Sequence, residues 1–149
     1  MFGIKKTAVI SSSILAAIGM TGCAGLETSQ YTYDASYKMN EVVKGEGCYD
    51  ASVLLGGNVA VSKDIAKKVL TALDSTITED GDSEVKAQRN RHIGVFVGSG
   101  GEELSVKLKE ISTGSTFVTA TTKTGFVGGA GQKAWSCQIA DEMVKMTQK

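Results

Sequence analysis

The sequence predicts an α+β fold, a two-layer sandwich with two helices on one face of an antiparallel sheet of about four strands. Three observations lead to this prediction. Apolar residues recur every four positions in one segment, which indicates an amphipathic helix, and alternate with polar residues in several others, which indicates strands. Short glycine-containing turns separate the later strands and favour antiparallel pairing. The expected element order is β-α-β-β-β-α.

The first strand and the first helix are predicted between residues 46 and 77. Apolar and polar residues alternate through Leu55, which indicates a strand that ends at the glycines of positions 56 and 57. Ser62 is the expected N-cap of the helix, which should cover about residues 63–77. Its apolar stripe consists of Ile65, Val69, Leu73 and Ile77.

Three further strands and a second helix are predicted in the C-terminal half. One strand begins at Val85 and is expected to continue toward Val97, a second covers Leu104 to Leu108, and a third is threonine-rich and covers residues 117–124. Residues 78–83, which are rich in acids, should form a turn, and the spacing of those acids does not fit a calcium-binding EF-hand loop. The last helix should cover about residues 132–147, with one face formed by Trp135, Ile139, Met143 and Met146.

The composition is typical of one folded domain and argues against a nucleic-acid-binding role. The chain has 149 residues, of which 16 are basic and 16 acidic, so its formal net charge is zero. A protein that binds nucleic acid mainly through phosphates carries an excess of positive charge. We therefore expect no nucleic-acid partner.

The N-terminal segment has the layout of a secretory signal. Lys5 and Lys6 precede an uncharged stretch, residues 7–20, which is shorter than the roughly 20 apolar residues of a membrane-spanning helix. The tetrapeptide Met20-Thr21-Gly22-Cys23 resembles the lipobox of bacterial lipoproteins, with Met and Thr where that family usually has Leu and Ala or Ser. The resemblance implies cleavage after residue 22 and a mature N-terminal Cys23 that carries a diacylglyceryl thioether and an amide-linked acyl chain.

The lipoprotein resemblance also implies a location and a domain organisation. In Gram-negative lipoproteins an Asp after the lipidated cysteine resembles an inner-membrane retention signal, and Ala24 at this position favours the periplasm-facing leaflet of the outer membrane. Loss of residues 1–22 removes two lysines and no acid, which leaves 14 basic and 16 acidic side chains and a net charge of −2. Residues 23–45 are expected to form the lipidated N-terminus and a flexible tether, and residues 46–149 a single α+β domain.

Three tyrosines of the predicted tether, Tyr31, Tyr33 and Tyr37, stand at odd spacing and share one face of an extended segment. They form a binding edge for a glycan or a protein, or else they pack back on the domain or remain solvated.

Two features that suggest catalysis lack the residues that such chemistry requires. Residues 129–134 fit the pattern G-x-G-x-x-A, but the chain after them has no room for the strand that completes a dinucleotide-binding unit. His92 is the single histidine, and neither a serine-hydrolase constellation nor zinc ligands at suitable spacing accompany it. We therefore expect a non-enzymatic protein without a cofactor, a catalytic residue or a metal site.

Two residue pairs remain as candidate sites. Arg89 and Arg91 are the only arginines and are predicted to share one face of a strand, where they bind an anionic partner or else are solvated and balance the acids of residues 79–82. Cys48 and Cys137 are expected either to form a disulfide in an oxidising compartment or to remain free thiols. Helical counting places such a bridge across the outer face of the last helix.

Residues 46–147 are similar in layout to a group of small, functionally uncharacterised bacterial lipoproteins. The similarity is carried by the run Ala-Gln-Arg-Asn-Arg-His-Ile-Gly-Val-Phe-Val-Gly and by the later Thr-Gly-Phe-Val-Gly-Gly-Ala-Gly-Gln. The arrangement also resembles, more weakly, the helix-grip domains of an outer-membrane assembly lipoprotein. The sequence thus predicts an interaction or assembly module of the cell envelope with another envelope protein as its partner. The alternative is a binding module for a small anionic or glycan ligand.

Overall fold

The computed structural model describes residues 31–93, 98–125 and 131–149. Within these ranges the chain forms one six-stranded antiparallel sheet, a separate two-stranded ladder and two helices. The strands are β1 (Val43–Lys44), β2 (Asp50–Gly56), β3 (Ser75–Asp80), β4 (Glu84–Arg89), β5 (His92–Ile93), β6 (Gly98–Ser99), β7 (Glu103–Ser112) and β8 (Ser115–Lys123). The helices are α1 (Val59–Ala72) and α2 (Ser136–Thr147), and a 3-10 turn (Glu46–Cys48) precedes β2.

The predicted α+β class is confirmed, with strands in the order β1-β2-β8-β7-β4-β3 and both helices packed on one face of the sheet. Every second residue of the central strands points toward the helices, and because these residues are apolar they form the core together with the apolar residues of the helices. Its members include Ala51, Val53, Leu55, Val85, Ala87, Leu104, Val106, Leu108, Val118 and Ala120 from the sheet, and Ala66, Val69, Leu70, Ile139 and Met143 from the helices. We call the opposite side of the sheet the helix-free face. No helix within the described ranges is long and apolar enough to cross a membrane.

The prediction of about four strands is wrong by two, partly because the first helix ends earlier than its apolar spacing suggests. The helix begins at Val59 with Asn58 as N-cap, whose side-chain oxygen accepts a hydrogen bond of 2.9 Å from the backbone of Val61. Asp74 adopts a left-handed conformation with φ 57 and reverses the chain after α1. Ile77 therefore lies in β3, and part of the predicted acidic turn is strand.

The other additional strand lies in the predicted tether, whose C-terminal part is ordered against the domain. Residues 31–45, which we call the strap, include β1, and Val43 pairs with Ser52 of β2. The rings of Tyr33 and Tyr37 contact Phe117 with centroid distances of 5.8 and 4.9 Å. The flexible tether predicted over residues 23–45 is thus wrong for the strap. Its cover also explains why β2 is buried along both faces rather than in alternation.

The strand predicted to run from Val85 toward Val97 ends at Arg89, and a short strand follows at β5. Residues 94–97, including Val95 and Val97, lie outside the described residues. The last helix begins at Ser136 rather than near residue 132, so that Trp135 immediately precedes it.

Cys48 and Cys137 form a disulfide with a Cα–Cα distance of 5.3 Å. It joins the 3-10 turn before β2 to the first turn of α2. The expectation that the bridge crosses the outer face of the last helix is wrong, because Cys137 is 8% exposed and packs with the core. Helical counting fails here because α2 buries a wide arc, which includes Ser136, Cys137 and Ala140 as well as Ile139 and Met143.

Candidate functional site

A cluster of basic and aromatic side chains lies where β4 ends and where β7 and α2 begin. Two backbone hydrogen bonds of 2.9 Å, from Arg89 N to Glu102 O and from Gly101 N to Arg89 O, join the end of β4 to the segment that leads into β7. We call the group formed by Arg89, Arg91, Lys133, Trp135 and Glu102 the cationic end of the sheet. It contains both arginines that the sequence singled out.

Trp135 stands at the centre of this cluster. The Arg89 guanidinium carbon lies 3.9 Å, and the Lys133 ammonium nitrogen 4.0 Å, from the centroid of its ring. A cation at this distance is attracted by the negative face of an aromatic ring, by roughly 0.5–2 kcal/mol. The Trp135 backbone nitrogen also donates a hydrogen bond of 3.0 Å to Thr122 Oγ1. The ring is therefore fixed in place and holds two cations beside it.

Glu102 links the residues of the cluster by hydrogen bonds. Its side chain is fully buried, and its Oε1 accepts hydrogen bonds from Trp135 Nε1 at 3.1 Å and from Lys133 N at 3.2 Å. A buried carboxyl group is costly unless donors surround it, so these two bonds are expected to hold the loop before α2 against the start of β7. Among the described residues, Glu102 Oε2 has no hydrogen-bond partner.

Glycine is required where the segment that leads into β7 contacts Asn90. Gly100 has φ +93, and a Cβ atom added there would lie 2.0 Å from the Asn90 carbonyl oxygen. Gln132 Nε2 donates a hydrogen bond of 3.0 Å to the Gly100 carbonyl oxygen and joins the two loops a second time.

The structure separates the two arginines that the sequence placed on one strand face. Arg89 is the last residue of β4, is half-buried against Trp135, and donates a hydrogen bond of 2.9 Å from Nε to Leu73 O. Arg91 follows the strand and is exposed. The shared face is wrong because β4 ends between them. Instead, the fold brings Arg89 together with Lys133.

His92 lies beside this cluster and contacts the carboxylate of Asp74 through Nε2. Asp74 also accepts a hydrogen bond of 2.8 Å from Asn90 Nδ2. The hydrogen bond with His92, followed by that with Asn90, holds the pKa of Asp74 below its ordinary value, and the charge of Arg89 adds to the effect. The group thus stabilises a charged carboxylate in the turn between α1 and β3.

Replacement of His92 by alanine is expected to raise the pKa of Asp74 toward its ordinary value of 3.8, because the strongest hydrogen bond is lost. In the intact protein the folded-state pKa lies below the unfolded value. The resulting stabilisation is present above the unfolded pKa and is lost as the pH falls through the folded pKa. NMR titration of the Asp74 carboxyl carbon measures this pKa in both proteins. Asn90→Ala should give a smaller rise, and an unchanged pKa in His92→Ala would contradict the assignment.

Other sequence-derived candidates lie elsewhere. Cys23 and the lipobox fall outside the described residues, as do positions 129 and 130 of the G-x-G-x-x-A segment. Across the described ranges, no three His, Cys, Asp or Glu side chains come together as metal ligands. The predicted anion site missed Lys133, Trp135 and Glu102. One sign of Glu102 is present in the sequence. It lies two positions before the apolar Leu104, so in an extended segment its side chain points to the same, buried side.

Comparison with known proteins adds no relative to this description. The chain matches no protein-family model and no curated protein.

Proposed function

We propose that this chain is a lipid-anchored, non-enzymatic interaction module of the bacterial cell envelope, located at the outer membrane and facing the periplasm. Its partner is an acidic segment of another envelope protein, which binds at the cationic end. The anchor is Cys23, proposed from the lipobox that ends there.

The observation that carries the proposal is the pair of cations held beside Trp135. Arg89, Arg91 and Lys133 form no salt bridge within the described part of the chain. Of the neighbouring carboxyl groups, Glu102 is fully buried and already accepts hydrogen bonds from Trp135 and Lys133, and Asp74 is hydrogen-bonded to Asn90 and His92. Positive charge is therefore available to a partner, and the ring and the Leu73 carbonyl restrict the motion of Arg89 in advance. Preorganised cations lose less entropy when they bind a carboxylate.

The partner is tested by crosslinking in intact cells followed by capture of this chain. Arg91→Glu and Lys133→Glu are expected to reduce the amount of one crosslinked envelope protein at least tenfold, because both reversals oppose an acidic surface. Lys68→Glu is the matched control, since Lys68 is an exposed residue of α1 with the same change of charge. Equal crosslinking by all three variants would contradict binding at the cationic end.

The anchor is tested separately. Cys23→Ser is expected to release the protein into the soluble periplasmic fraction. Continued membrane association of that variant would contradict the lipoprotein assignment.

A small anionic or glycan ligand is the second candidate at the same place. The exposed Arg91 favours it, because a guanidinium group binds carboxylate and phosphate through two parallel hydrogen bonds. Glucuronate or glucose 6-phosphate should then raise the melting temperature of the protein, and Arg91→Glu should abolish the increase. No stabilisation by either compound would remove this candidate for uronic acids and sugar phosphates.

A further inference from the structure

A second basic surface lies on the helix-free face. Lys107 and Lys109 occupy alternate positions of β7, and Lys123 ends β8 on the same side. All three are exposed, and none forms a salt bridge with a described residue. We call these three residues the lysine face.

Acidic residues are present on the same side of the sheet, but the salt bridges there involve Lys86 rather than these three lysines. Lys86 lies on the same side of the sheet, but Glu79 and Glu84 neutralise it at 2.8 and 3.8 Å. Glu103 is directly opposite Lys123 in the β7–β8 register, yet the two form no salt bridge within the described residues. Lys107, Lys109 and Lys123 outnumber the two glutamates that stand opposite Lys107 and Lys123, Glu84 and Glu103, so the lysine face keeps an excess of one positive charge although the predicted mature chain is acidic.

The strap enters the domain beside this surface. Tyr31 and Tyr33 line a groove of about 460 Å³ together with Lys107, Lys109 and Phe117. The Tyr33 ring packs edge-on against Phe117 with a centroid distance of 5.8 Å. The part of the chain that comes from the N-terminus thus joins the domain on the helix-free face.

The length of the connection limits how far this face can lie from the membrane. Only residues 24–30 separate Cys23 from Tyr31. A chain of this length spans at most about 29 Å when fully extended and roughly 16 Å as a flexible coil. If Cys23 carries the lipid, as the proposed function holds, the lysine face lies close to the bilayer surface.

We propose that the lysine face docks on the anionic lipid headgroups of the membrane that holds the anchor. Lysines close to an anionic surface each increase binding roughly fivefold, so three give on the order of 100-fold. The lipid anchor makes this contact intramolecular, and a weak electrostatic attraction is then sufficient. Docking turns α1 and α2, which pack on the opposite side of the sheet, toward the periplasm.

The test uses the mature chain, residues 23–149, coupled through the Cys23 thiol to a maleimide lipid in vesicles. Two kinds of vesicle are compared, one of phosphatidylcholine alone and one in which phosphatidylglycerol replaces half of it. The lysines are acetylated briefly on the vesicles, and the extent of acetylation is then measured by mass spectrometry. On the anionic vesicles we expect acetylation of Lys107, Lys109 and Lys123 to slow about tenfold. Lys68 on α1 is the internal control and should react equally on both.

Two further measurements complete the test. High salt should restore the reactivity of the lysine face, because it screens charge on exposed surfaces. Lys107→Glu combined with Lys109→Glu should remove the protection of Lys123. Equal reactivity on the two kinds of vesicle, or equal protection of Lys68, would overturn the proposal.

The coupling is chemical, so the outcome does not depend on lipidation in cells. A wrong lipoprotein assignment, which continued membrane association of Cys23→Ser would show, is therefore distinguishable from a wrong assignment of the docking surface. A different pair of results would assign this face to a protein partner and overturn membrane docking. In that case the lysines of the unchanged protein are not protected on anionic vesicles, and the Lys107→Glu and Lys109→Glu double variant loses the crosslinked envelope protein in cells.

Discussion

Replacement of Cys48 and Cys137 by alanine is expected to lower the free energy of unfolding by roughly 4 kcal/mol. The disulfide joins residues 89 positions apart, and a closed loop of that length removes much conformational entropy from the unfolded chain. It also fixes the first turn of α2 to the 3-10 turn before β2. Urea denaturation of proteins that all carry Cys23→Ser measures the difference.

Reduction supplies the matched control for this prediction. A reducing agent should destabilise the protein with intact Cys48 and Cys137 by a similar amount and leave the double-alanine protein unchanged. If the unfolding midpoint of the former is the same with and without reducing agent, the bridge contributes nothing and the prediction fails.

The sequence predicts the helix-covered side of the sheet because one side of each central strand is consistently apolar. Alternation places Val85, Ala87, Leu104, Val106 and Leu108 correctly, since burial against helices demands apolar residues at every second position. The same argument fails for β3. Ile77 continues the four-residue spacing of α1, and only the left-handed turn at Asp74 assigns it to a strand.

The strap is invisible to periodicity because its contacts are made by isolated residues. Tyr33 and Tyr37 have few aliphatic neighbours in sequence, and their partner Phe117 belongs to a strand whose threonine content suggests one solvated face. A tertiary contact between an irregular segment and one aromatic residue leaves no repeating pattern. The sequence pattern therefore leaves packing back on the domain as one of several interpretations of the tyrosines.

The cationic end was predictable in part. The two arginines are conspicuous as the only ones in the chain, but their common face depended on where β4 ends. Lys133 and Trp135 join Arg89 only through the fold, because more than 40 residues separate them in sequence. Glu102, which directly precedes β7 and continues the alternation of the apolar Leu104, is a local sign that a polar cluster interrupts the core.

Replacement of Trp135 by alanine is expected to lower the free energy of unfolding by about 3–5 kcal/mol, the range for loss of a buried large aromatic side chain. Trp135 is 9% exposed, and its indole ring is also the one against which Arg89 and Lys133 pack. Its loss removes one of the two donors to the buried Glu102 Oε1 and leaves the Lys133 backbone N–H as the other, which weakens the satisfaction of a buried carboxyl group. Urea denaturation monitored by far-ultraviolet circular dichroism measures the loss.

Trp135→Phe separates the ring from its hydrogen bond and keeps the prediction testable if the alanine variant does not fold. Phenylalanine preserves an aromatic face for Arg89 and Lys133 but cannot donate to Glu102, so we expect a loss of about 1–3 kcal/mol. In a Glu102→Gln background the same replacement should cost at least about 1 kcal/mol less, because the carboxyl acceptor of the indole hydrogen bond is then already replaced by an amide. Additive effects, within roughly 0.5 kcal/mol, would contradict the fastening of Trp135 by Glu102.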